Sequence, residues 1–222
     1  MSVEARLDPA VMSLLNEAAE WRLLGMLFER PCPEWKEQIA ALARDVADAE
    51  LRQAADLAVA EAAEGVFHSL LGPGGPAPPR EITYRNTLQP GYLLAELTAY
   101  YQAFAYTPSA VEAPDHVSVE AGFLGYLRLK QAYALSCGDG EQAAIAQEAA
   151  ERFRRERLSY VAEPLSAALD YSGEPYLELA GKALLRRVGP REKQMFDFLD
   201  QDRAQGEDSV FECGETEIGR EL

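Results

Sequence analysis

Prolines stand at the starts of segments whose apolar residues recur every three or four positions, and that combination confines most of this chain to helices. Proline lacks an N–H and clashes inside a helix, but it suits the first turn. Asp8-Pro9 reads as the cap and first turn of a long helix in which Val11, Leu14, Leu15, Ala18, Trp21, Leu24 and Phe28 share a face, ended by Pro31. Pro33 opens a second, with Trp35, Ile39, Leu42 and Val46 on one side; Leu51, Ala55, Ala58, Ala62, Phe67 and Leu70 mark a third. Gly72 to Arg80, GPGGPAPPR, is barred from helix and must be a loop. Ile82 to Tyr84 is expected to be extended.

Helical spacing resumes at Leu93, Leu97, Tyr100, Tyr101 and Phe104, breaks across Thr107 to Pro114, and returns through Val119, Phe123, Tyr126 and Leu127 up to Gly138, with Asp115 or Ser118 as the expected cap. Glu141 to about Tyr171 follows, with Pro164 expected to kink or divide it. Ser172 and Pro175 open a helix through Leu185, and Pro190 a short one around Met195 to Leu199. Period-2 alternation is nearly absent. The expectation is an all-α, single-domain helical bundle with a Pro/Gly-rich central loop over residues 1–200. Residues 201–222 hold seven acids, two bases and few large apolar groups, and are expected to form an acidic, flexible tail.

With 222 residues, 48% of them hydrophobic, the chain can bury one core. Its 21 Lys+Arg against 37 Asp+Glu give a net charge of −16, a field that repels phosphate backbones and anionic lipid. Neither nucleic-acid binding nor stable membrane association is therefore expected, whereas a basic peptide would be attracted. The longest uncharged run, Leu97 to Val111, contains Pro108 and several tyrosines. The first residues carry acids where an export signal needs bases, so a cytoplasmic location is expected. Cys32, Cys137 and Cys213 form no metal or disulfide spacing.

Enzyme signatures are missing. The GPGG segment lacks the lysine and the preceding strand of a phosphate loop, and there is no GxSxG elbow. His116 with Glu120, one turn apart, and His68 with Glu64 are ordinary helical pairs, so no metal, catalytic residue or cofactor is expected.

Four pieces of sequence together resemble the TorD/DmsD-type redox-enzyme maturation chaperones, whose superfamily includes the NarJ type. They are Phe67 to Pro79 with Tyr84 shortly after; Gly91 before a helix; Pro114-Asp115-His116 with Glu120 and Phe123-Leu124; and Glu174-Pro175-Tyr176 leading Leu179 and Leu184. In order and approximate spacing they cover about Leu14 to Val188.

The resemblance implies a non-enzymatic cytoplasmic chaperone that assists assembly and molybdenum-cofactor loading of a molybdoenzyme catalytic subunit by binding its N-terminal, twin-arginine-type signal peptide. Carried over by position, the peptide-binding residues would be Leu70, Tyr84, Gly91, Asp115 and His116, with Asp115 also capping its helix and His116 partly exposed. The chain departs from the dimethyl sulfoxide reductase chaperones at Arg80, where they carry an aromatic residue, and between Tyr84 and Gly91, where it is shorter. A guanine-nucleotide-binding protein and a non-catalytic helical adaptor are the alternatives.

Overall fold

The computed structural model describes residues 8–85, 89–108 and 111–191. The architecture is an all-α, single-domain fold with no strand among the described residues. Its helices are α1 (Pro9–Leu27), α2 (Pro33–Leu42), α3 (Ala49–Glu61), α4 (Glu64–Leu71), α5 (Pro90–Ala103), α6 (Val117–Ser136), α7 (Gly140–Phe153), α8 (Ser159–Leu169) and α9 (Pro175–Val188). No helix among the described residues is long and apolar enough to cross a membrane. The acidic segment 201–222 and the short helix expected around Met195 to Leu199 lie outside the described residues.

Helix starts follow the punctuation. Asp8 caps α1 by accepting from Ala10 N at 2.7 Å, and Pro9, Pro33, Pro90 and Pro175 occupy first turns. Cys32 precedes Pro33, and its Sγ accepts from Trp35 N at 3.4 Å. Gly138 and Gly189 follow the ends of α6 and α9 with φ of 74° and 81°, the left-handed backbone that glycine adopts without strain.

Three expectations need correction. The segment expected as one helix from Leu51 to Leu70 is two, because Ala62 leaves the helical region at φ −58°, ψ 128° and α4 starts afresh at Glu64. The five-residue step between buried Ala62 and Phe67 does not fit one straight face, so the break lets both reach the core. Ile82 to Tyr84 is a 3-10 turn, Glu81–Tyr84, closed by Thr83 N to Arg80 O and Arg85 N to Ile82 O, each 3.2 Å. The helix after Asp139 is divided ahead of Pro164 by a π turn, Arg154–Leu158, which buries Arg157 and Leu158.

At the centre, α1 packs on α6, which also carries α7, while α9 packs on α3 and α8. The α1–α6 contact is backbone to backbone. A Cβ on Gly25 would lie 2.8 Å from Ser118 O, and one on Gly125 2.9 Å from Ala18 O. Phe123 anchors the aromatic core, with ring centroids 4.9 Å from both Tyr101 and Phe153 and 5.2 Å from Tyr106, the first two edge-on as ring quadrupoles prefer. Tyr92, also on α5, is instead 70% exposed.

Candidate functional site

The Pro/Gly loop is tied down at both ends. Leaving α4, it turns back so that Ala77 N donates to Leu70 O at 3.1 Å, and Gly75 N to Gly72 O at 2.9 Å. A Cβ on Gly75 would lie 2.3 Å from Leu70 O, so this close return requires glycine. Pro78 and Pro79 have no N–H to satisfy, and both of their carbonyls accept: Tyr84 OH donates to Pro78 O at 2.7 Å, and Val117 N to Pro79 O at 2.8 Å. Glu81 N donates to Asp115 O at 2.8 Å, completing an isolated antiparallel bridge between Arg80 and His116. The loop is thereby stitched to the first turn of α6.

Asp115 and His116 hold that stitch. The Asp115 carboxylate, fully buried, accepts from Arg80 Nε at 2.9 Å and Nη2 at 2.7 Å on Oδ1, and from Ile82 N at 3.3 Å on Oδ2. It therefore serves the loop, not the helix, whose cap is His116: Nδ1 accepts from Ser118 N at 3.2 Å and lies 2.7 Å from Ser118 Oγ. This corrects the expected cap. His116 is 4% exposed, not partly exposed as its position suggested. Burial lowers its pKa to about 4, with Asp115 opposing that shift and Arg80 adding to it, so the ring is neutral and free to accept at Nδ1.

Beneath the bridge lies a polar cluster that sequence reasoning missed. Glu81 and Glu120 are fully buried, and no carboxyl oxygen of either has a well-aligned hydrogen-bond partner. Arg85 Nε stands 2.5 Å and Arg157 Nη1 3.8 Å from Glu81 Oε1, and Arg157 also pairs with Glu96. Burial pushes the Glu120 carboxyl well above the ordinary carboxylic range, and the Glu81 charge beside it pushes further. Burial raises Glu81 also, but there the two guanidiniums pull the other way, so the protonated form is favoured more strongly at Glu120. Helical spacing had linked Glu120 only to His116. Nothing in the sequence ties it to Glu81, because the bridge that brings them together is a tertiary contact.

Of the remaining expected residues, Leu70 and Tyr84 are half-buried and hold opposite ends of the loop. Burial raises the Tyr84 hydroxyl pKa to about 12, leaving it a donor. Leu70, Tyr84, Asp115 and His116 are thus each tied to this one loop, at different points along it. Gly91 stands apart in the first turn of α5, exposed, with open space where a side chain would be.

Near the other end of α6 is a largely apolar cleft of about 230 Å³ whose lining includes Phe104, Tyr133, Cys137 and Ile145 together with Lys130 and Asp139. A helix rises about 1.5 Å per residue, so Cys137 lies roughly 30 Å from His116 along α6. Cleft and loop are separate features.

The family model described as nitrate reductase delta subunit matches residues 29–164, more than half of the chain, a span that contains the whole loop, the bridge and the buried carboxyls. No curated protein matches the chain. That family comprises non-catalytic chaperones of molybdoenzyme assembly, related to the TorD/DmsD type. The chain belongs to the nitrate reductase delta subunit family of redox-enzyme maturation chaperones.

Proposed function

We propose that the chain acts in the cytoplasm by binding the N-terminal, twin-arginine-type segment of a molybdoenzyme catalytic subunit, holding it while the molybdenum cofactor is loaded. The observation that carries this reading is the junction itself. A single tied-down loop is bonded to half-buried Leu70 and Tyr84 and, through Arg80 and Ile82, to a buried carboxylate, Asp115, whose Arg80 partner reaches solvent. A segment that is basic and then apolar matches both halves of that surface. The net charge of −16 supplies attraction at longer range.

Calorimetric titration with a synthetic peptide carrying two adjacent arginines followed by an apolar stretch tests the reading. Saturable binding is expected, weakening as salt rises, because charge attraction is screened over about 8 Å at physiological ionic strength. Binding indifferent both to salt and to arginine-to-glutamine changes in the peptide would contradict it.

The apolar cleft, with Tyr133 71% and Ile145 44% exposed, favours a second reading as a helical adaptor. Affinity capture separates the two: a chaperone recovers an immature, cofactor-free catalytic subunit, and an adaptor recovers the mature complex.

A further inference from the structure

Three arginines of this chain face buried carboxylates at the loop–helix junction, and they differ in how firmly they are held. Arg157, 5% exposed, lies near Glu81 and pairs with Glu96. Arg85, 15% exposed, pairs with Glu81, donates to Glu156 O at 2.7 Å and lies 3.7 Å over the Tyr160 ring. Both are built into the core. Arg80 is 41% exposed, and the hydrogen bonds of its side chain among the described residues go to Asp115 Oδ1. Asp115 has no exposure of its own, so of this pair the Arg80 side chain is the part that meets solvent.

We propose that Arg80 is a specificity-determining residue that competes with the client: its guanidinium occupies the Asp115 carboxylate in the place an incoming arginine would take, and a client arginine binds there by displacing it. This rests on the reading of the junction as the client site. The exchange is chemically even. An arginine from the peptide re-forms the two N–H to Oδ1 bonds, the Ile82 N–H keeps Oδ2, and the displaced Arg80 side chain moves into water. A lysine or glutamine in the peptide cannot present the same fork, so the exchange favours arginine. Client affinity is reduced by the fraction of molecules in which Arg80 has not yet left Asp115. Arg85 and Arg157 cannot play this part, since releasing either would strip Glu81 of its buried counter-charge.

Arg80→Gln removes the competing charge while leaving an amide to donate to Asp115, and Arg80→Lys keeps a charge without the fork. Calorimetry is run on the full chain with the paired-arginine peptide and with its arginine-to-glutamine counterpart, after thermal melts of each variant. Arg80→Gln is expected to bind the paired-arginine peptide about tenfold more tightly than the wild type, Arg80→Lys to gain less, and neither to gain for the glutamine peptide. Adding Asp115→Asn to Arg80→Gln is expected to abolish the gain. Binding unchanged by Arg80→Gln, or an equal gain for both peptides, overturns the role of Arg80 and leaves the client site standing. Absence of binding by the wild type and every variant overturns the client-site reading and the Arg80 role with it.

Discussion

Burial and the Glu81 charge favour the protonated form of the Glu120 carboxyl, for which its sequence position gives no reason, and the consequence is measurable. Its pKa is raised in the folded chain well above the ordinary 4.5 by burial and by the Glu81 charge. The stability it contributes is therefore fully present below about pH 4.5 and is lost as pH rises towards the folded value. His116 acts in the opposite sense: its folded pKa, lowered to about 4 from 6.5, costs stability as pH falls through that window. Glu120→Gln isolates the first contribution, being neutral at every pH and offering Glu81 an amide donor. Urea unfolding across a pH series is expected to show the variant more stable than the wild type by about 1 kcal/mol or more near pH 8, with the difference shrinking towards pH 4. A variant less stable at pH 8 would show that the wild type uses a charged Glu120.

Helix α6 does two jobs, and the glycines at its contact with α1 bear on the first. Gly125→Ala forces a Cβ to within 2.9 Å of Ala18 O and 3.4 Å of Trp21 Cβ, so the helices must part. Overpacking of this kind costs about 1–3 kcal/mol. Gly91→Ala, which meets nothing within 4 Å, is the control and is expected to leave the melting temperature unchanged or slightly raised. Equal melts for the two variants would contradict the close crossing.

The second job, starting the helix beside the loop, shows where legibility ends. Asp8-Pro9, Pro33 and Pro175 announce their helices because caps and first turns are local chemistry. Asp before a helix looks like a cap by the same logic, yet Asp115 turns to Arg80 and Ile82, and His116 caps instead. That choice is made by the loop docking from 35 residues away, which no local rule contains. The break at Ala62 is likewise decided by where Phe67 and Leu71 must be buried, since no Gly or Pro stands there. The resemblance names Leu70, Tyr84, Asp115 and His116 together; Arg85 meets Glu81 at a local four-residue spacing, whereas Arg157 reaches it through tertiary packing.

For the molecule as a whole, family membership and geometry converge on the same span. The matched region, residues 29–164, contains the loop, the bridge and the buried carboxyl pair, and the apolar cleft near Tyr133 lies within it too. The family alone therefore does not choose between the two surfaces. The choice falls to the junction, where apolar groups accompany a buried carboxylate, because in the cleft Lys130 stands among the lining residues with Asp139 and offsets its charge towards a basic client. Amide hydrogen exchange of the full chain with and without the paired-arginine peptide tests this most directly, since bound peptide slows exchange where it sits. The account predicts slowed exchange in residues 70–85 and 113–120 with residues 130–146 unaffected; protection confined to residues 130–146 would contradict it.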